Sequence, residues 1–159
     1  MNITQHLSPN KSKRKVSKID MIVIHATAGS FDSALNWMLN PKAEASAHYL
    51  ISKTGAIVQL VKDEDKAWHA GVSEWHGEHD CNQFSIGIEL ENLNDNKDPY
   101  PEAQIKNLVL LVHELMKKFP HITKDRIVGH NQIAPGRKTD PGIKFPWVLF
   151  GSLLREEID

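Results

Sequence analysis

The chain has 159 residues, with 19 basic and 20 acidic side chains, nine histidines and a single cysteine. That length suits one domain with a substantial core, and a formal net charge of −1 gives no global pull towards nucleic acid or an anionic membrane. Cys81 has no second cysteine to pair with. There is no signal-like apolar N-terminal run and no apolar stretch of membrane-spanning length, so a cytoplasmic protein is expected.

Residues 1–18 are polar and carry Lys11, Lys13, Arg14, Lys15 and Lys18. They read as a basic, loosely ordered arm ahead of a domain spanning 19–159, more readily a solvated tail than a grip on an anionic polymer. Met21-Ile22-Val23-Ile24-His25 is a β-branched apolar run ending in a histidine, which predicts a buried strand. Ser30 suits the cap of a helix with Phe31, Ala34, Leu35 and Met38 at helical spacing, stopped by Asn40-Pro41. His48–Ser52 and Ala56–Val61 flank Lys53-Thr54-Gly55, a hairpin pattern with glycine at the left-handed position.

Residues 62–83 are polar and spiked with Trp68, His69, Trp75, His76 and His79, and long connections of this kind are often functional. Phe84 to Glu91 alternates, with Phe84, Ile86, Ile88 and Leu90 on one face and Ser85, Gly87, Glu89 and Glu91 on the other. Two carboxylates on one strand face either meet water or line a site. Pro101 opens the strongest helix, Glu102–Phe119, whose apolar positions 105, 108, 109, 112, 115, 116 and 119 follow the helical period. Ile127-Val128 predicts another strand, and residues 147–157 a closing helix. The fold class expected is α/β of the α+β type: one domain, a central mixed sheet flanked by helices.

The segment from Gly129 to Gly142 is punctuated by Pro135, Gly136, Pro141 and Gly142, so turn chemistry should fix its backbone. Lys138 and Asp140, two residues apart, can face one point. His25 and His130 stand at strand ends, and strands of one sheet bring their C-terminal ends to one edge, where α/β proteins hold ligands. Two imidazoles and a carboxylate make up the ligand set of a catalytic zinc site with one open position. Each residue also has an ordinary role available: a backbone-bonded strand-end histidine for His25, a strand cap for His130, an Asx turn for Asp140, an exposed face for Glu89 and Glu91.

Five motifs occur in order: Val23-Ile24-His25, Ser46-Ala47-His48, Lys66 to Ser73, Asn82 to Glu91, and Gly129 to Gly142 with its Lys138-Thr139-Asp140-Pro141-Gly142. Across roughly residues 20–150 they resemble the zinc-dependent N-acetylmuramoyl-L-alanine amidases of the type 2 amidase family. The likeness is greatest to the cytosolic, AmpD-like branch that trims anhydromuramyl peptides; phage lysozyme-amidases and peptidoglycan recognition proteins are more distant. The resemblance implies His25, His130 and Asp140 as ligands of one zinc ion, Glu89 as the catalytic carboxylate and Lys138 near the reacting carbonyl. It associates Arg137 with the peptide's carboxylate, and Trp68 and His69 are expected to contact substrate.

The phage and recognition branches carry a tyrosine where this chain has Ala47, which leaves the acid–base work to Glu89. The segment between His25 and His48 is shorter than in the cytosolic branch. The implied function is hydrolysis of the bond between the muramyl lactyl group and L-alanine, in peptidoglycan or its fragments. That activity would serve cell-wall recycling or, in a phage endolysin released to the wall, lysis. The alternative is a non-catalytic peptidoglycan receptor on the same fold. A monomer is expected, with no nucleic-acid or membrane partner.

Overall fold

Six consecutive buried residues, Met21–Ala26, form a strand without a solvent face, as an apolar β-branched run inside a covered sheet should. The computed structural model describes residues 1–156. In chain order its strands are β1 (Ile3–Gln5), β2 (Lys11–Lys13), β3 (Met21–Ala26), β4 (Tyr49–Ile51), β5 (Ile57–Gln59), β6 (Asp65–Ala67), β7 (Glu74–Trp75), β8 (Glu78–His79), β9 (Ser85–Leu90) and β10 (Ile127–Gly129). The helices are α1 (Phe31–Leu39), α2 (Glu102–Lys118), α3 (His130–Ile133) and α4 (Trp147–Arg155). The predicted closing helix thus ends at Arg155, and its last predicted residue, Glu157, lies outside the described residues.

The main sheet has the order β1-β5-β4-β9-β3-β10. β4, β9, β3 and β10 run parallel, and β5 returns antiparallel to β4 as the predicted hairpin. Parallel strands present their C-terminal ends on one edge, so the ends of β3, β9 and β10 open together.

On one face Ile22, Ile24, Ile86, Ile88 and Leu90 join a single apolar cluster with Ile105, Leu108 and Val112 of α2 and Phe150 and Leu154 of α4. On the other face the apolar cover is divided. Met38 of α1 clusters with Leu50 and Val58, while Met21, Val23, Ala70, Phe84, Val128 and Ile133 form a separate group. Phe84 therefore departs from the predicted alternation. It ends a 3-10 turn with ψ 10°, one residue before β9 begins, and its ring joins the group opposite Ile86 and Ile88.

The N-terminal segment is not a loose arm. β1 pairs with β5 at the edge of the main sheet, and β2 pairs with β6. Arg14 is the physical reason. Its guanidinium donates to the carbonyl oxygens of Asp63, Asn82, Gln83 and Ser85 at 3.0–3.3 Å. Buried carbonyls left without ladder partners need a donor, and one planar fork supplies several at once. Replacing Arg14 by alanine should therefore cost roughly 3 kcal/mol or more, since several buried acceptors lose their donor together. Urea unfolding of Arg14→Ala beside Lys13→Ala, an exposed neighbour, checks this. Equal midpoints for the two would mean that the segment is the solvated tail its composition suggests.

Candidate metal centre and active site

His25 is the fifth residue of β3 and pairs in register with Glu89 of β9. Neighbouring positions in a parallel ladder put their side chains on the same face, so imidazole and carboxyl share the side of the sheet away from α2. His130 follows β10 directly, but it opens the short helix α3 rather than ending a strand, a helical turn where sequence predicts only loop. Gln132 Oε1 accepts the Gly129 N–H at 2.7 Å and stabilises that turn. Asp140 returns to the same place because its carbonyl accepts the Asn131 N–H at 3.0 Å, closing the ten-residue loop on itself.

The three side chains converge. His25 Nδ1 lies 3.0 Å from His130 Nδ1 and 3.1 Å from Asp140 Oδ2, and His130 Nδ1 lies 3.3 Å from Asp140 Oδ2. All three residues are buried, and they are the one such donor group found among the described residues. Donors about 2.0 Å from a tetrahedral zinc ion stand roughly 3.3 Å apart, so the triangle has the size such an ion requires. Both outer ring nitrogens are engaged, His130 Nε2 by the Ala70 carbonyl at 2.9 Å and His25 Nε2 by His69 Nδ1 at 2.9 Å.

The triangle lies on the wall of a cavity of about 500 Å³, with Glu89, Lys138, Arg137, Trp68, His69, Asn94 and Trp37 also lining it. The sequence-predicted site residues thus come together around one space, with differences of detail. Glu89 Oε2 is buried without a hydrogen-bond partner among the described residues. Glu91 neither meets water freely nor lines the cavity. Its two oxygens accept the N–H groups of Phe31 and Lys53 at 3.1 and 2.9 Å, tying the start of α1 to the β4–β5 hairpin.

Arg137 Nη2 donates to the carbonyls of Ala70 and Val72 at 2.7 and 2.8 Å, so part of its fork braces the loop beside the site. Trp68 donates its indole N–H to Ser12 Oγ at 3.1 Å. Both ring nitrogens of His69 are used within the protein.

This arrangement agrees with what comparison to known proteins finds. Residues 15–143 match the family described as N-acetylmuramoyl-L-alanine amidase. The chain belongs to that family. It is 42% identical to the 1,6-anhydro-N-acetylmuramyl-L-alanine amidase AmpD of Haemophilus influenzae, covering 93% of this chain and 90% of the relative. The crystal structure of a selenomethionine AmpD derivative superposes with a TM-score of 0.83 at 34% identity, over 96% of this chain and 94% of that one. The Escherichia coli amidase AmiD, in complex with anhydro-N-acetylmuramic acid-L-Ala-D-gamma-Glu-L-Lys, gives 0.79 at 36% identity, over 89% of this chain and 60% of that one. The mixed sheet with flanking helices is the AmpD architecture.

Electrostatics within this family member separate its two site carboxyls. Burial alone would raise Asp140, but hydrogen bonds from His130 and His25 outweigh it, and its carboxyl is held below the usual range. Glu89 goes the other way. Burial and then the Asp140 charge push it well above the usual range, against the opposing pull of Lys138.

Asn94 and Trp37 are among the cavity residues that sequence reasoning missed. Asn94 has a buried Oδ1 without a partner among the described residues and sits at φ 55°. Its signal was the turn-forming run Asn92 to Asn96. Trp37 is 56% exposed on α1 and falls off the helix's apolar stripe, which was the available clue.

His48 supplies a pH signature. It is buried, accepts the Gly87 N–H on Nδ1 at 3.0 Å and donates from Nε2 to the Asp65 carbonyl at 2.9 Å. Burial and then the Arg14 charge bring its pKa down to about 4. The unfolded chain takes up a proton here below about pH 6.5 while the folded chain refuses it until about pH 4. Stability is therefore complete above the unfolded value and is lost as pH falls through that window, by about 3 kcal/mol for this group. His25 and His69 are lowered too, with burial the leading cause in each, and they steepen the slope of the metal-free protein. Thermal unfolding of metal-free protein should show the decline, and His48→Gln should flatten it while lowering stability at neutral pH. An unchanged slope in His48→Gln would contradict the assignment.

Proposed function

We propose that this chain is a zinc-dependent hydrolase that cuts the amide joining the lactyl group of N-acetylmuramic acid to L-alanine, in peptidoglycan or its fragments. The observation that carries this reading is the buried His25–His130–Asp140 triangle with the partnerless Glu89 carboxyl on the wall of the same cavity. Zinc held there would lower the pKa of a bound water to about 7 and polarise an amide carbonyl.

The chain's own groups divide the remaining work. Glu89 takes the proton of the attacking water and delivers it to the leaving nitrogen of L-alanine, the two transfers a carboxyl on this cavity wall can make. The Lys138 ammonium stabilises the oxyanion that develops on the carbonyl, a role worth roughly 3 kcal/mol when a comparable donor is removed. The part of the Arg137 fork that Ala70 and Val72 leave free binds a carboxylate of the stem peptide. Trp68, its N–H occupied by Ser12, offers the cavity an indole face against the apolar side of the sugar and lactyl group. A receptor that only binds would have no use for a donor triangle of tetrahedral size beside a buried proton carrier.

No helix among the described residues is long and apolar enough to cross a membrane. On this reading the chain works as a monomer, either on soluble muropeptides in cytoplasmic recycling or, once released, on intact wall. Product analysis on purified anhydromuropeptides beside intact sacculi separates those two settings, and the appearance of a free L-alanine N-terminus identifies the bond.

The purified protein should hold about one zinc ion per chain, and chelation should abolish activity reversibly. Activity that survives removal of all metal would end this mechanism. Glu89→Ala should keep its zinc and lose turnover by about two to four orders of magnitude. Glu91→Ala should lose stability, by about 1–3 kcal/mol for orphaning the Phe31 and Lys53 N–H groups, while its zinc-loaded, folded fraction keeps near-normal turnover. A larger turnover loss in Glu91→Ala than in Glu89→Ala would reverse the assignment along β9.

A further inference from the structure

The hydrogen bonds behind the donor triangle determine where every proton sits. Ser85 Oγ is 2.6 Å from the Cys81 carbonyl, which can only accept, so the hydroxyl proton points there. Ser85 Oγ must then accept from His69 Nε2, 3.0 Å away. With its proton on Nε2, a neutral His69 presents a lone pair on Nδ1, 2.9 Å from His25 Nε2. His25 therefore carries its proton on Nε2 and turns the Nδ1 lone pair into the triangle. On the other side the Ala70 carbonyl, again acceptor only, fixes the His130 proton on Nε2 and frees its Nδ1 in the same way.

We propose that His69 is a positioning residue for the metal centre. Through the chain from Cys81 O to Ser85, His69 and His25 it sets the tautomer and ring plane of His25, as the adjacent Ala70 carbonyl does for His130. The inference rests on reading the triangle as a zinc site.

Several features of the fold serve this placement. The His69 ring stands edge-on to His25, centroids 5.1 Å apart and planes at 86°. It lies directly over Gly87, where a Cβ would come within 2.4 Å of the ring, so the strand gives up a side chain to let the ring approach. Asn82 Oδ1 accepts the N–H groups of both His69 and Ala70, at 3.1 and 2.8 Å, which holds the two outer partners as one unit. Arg137 donates to the same Ala70 oxygen that His130 uses, and a side chain at Gly71 would crowd that guanidinium, at 2.9 Å. Within the segment that sequence points to as substrate-contacting, the His69 ring and the Ala70 carbonyl thus each serve one of the two histidines.

The test uses the full chain and zinc. Long-range proton–nitrogen NMR correlations of the zinc-loaded wild type read each tautomer directly. Expected are a metal-bound Nδ1 and protonated Nε2 on His25, and a protonated Nε2 with a lone-pair Nδ1 on His69. Zinc affinity by chelator competition is then compared across variants whose folding is checked by thermal unfolding. His69→Leu, which fills the space without an acceptor, should bind zinc about 10- to 100-fold more weakly, the usual cost of removing an outer partner of a metal ligand. His69→Asn, whose side-chain oxygen can take the place of Nδ1, should recover most of that loss. Ser85→Ala should release the His69 proton and blur the His25 tautomer.

A folded His69→Leu with wild-type zinc affinity would overturn the proposal, and so would a wild-type spectrum with the His25 proton on Nδ1. If His69→Leu does not fold, the wild-type spectrum and Ser85→Ala decide alone. A wild type that binds no zinc at all would instead remove the zinc-site reading beneath the inference, a result distinct from either.

Discussion

The pairing of β3 with β9 is the constraint on which the chemistry depends. Because side chains alternate along a strand, a slip of one residue would turn Glu89 towards α2 and bring an isoleucine or leucine to the site. What holds the register is on the opposite face. Ile22 and Ile24 interleave with Ile86, Ile88 and Leu90 against α2, and moving that set towards water would expose several side chains worth about 1.5–3 kcal/mol each when buried. The apolar face thus fixes the position of the polar one, and no interaction within the site has to do so.

On the site face the apolar cover is split into two clusters, one under α1 and one around Ile133, with the cavity among them. Polar groups that satisfy one another complete that face. Arg14 gathers loop carbonyls, His48 bridges the Gly87 N–H and the Asp65 carbonyl, and Asn82 holds the His69–Ala70 backbone. Such a network is rigid when complete, because each member would be costly to leave unpaired in a dry interior. Against that background the partnerless oxygen of Glu89 stands out as the kind of exception that functional sites retain.

Glu89 and Asp140 also show how one cavity gives two carboxyls opposite behaviour. Asp140 has two imidazoles against it and stays ionised. Glu89 has burial, a neighbouring negative charge and only the opposing pull of Lys138, so it holds a proton more readily. Environment, not residue type, separates the two carboxyls.

Much of this was present in the residue pattern. The β-branched run ending in His25, the alternation through Glu89, the heptad-like face of α2 and the turn residues around Asp140 are local features, and local periodicity and turn chemistry are what a sequence displays directly. The motif order placed the family for the same reason: each motif is contiguous.

What the pattern did not contain was pairing at a distance. The basic N-terminal segment looks solvated because Arg14 stands 49 to 71 residues from the carbonyls that need it. Glu91 resembles Glu89 along the strand, and only the packing of α1 and the β4–β5 hairpin against it shows that it caps backbone. The aromatic loop around His69 gives no hint that the strand beneath offers a glycine and a serine to receive its ring. Sequence displays which groups are available; which donor meets which acceptor was settled only when the sheet brought them together.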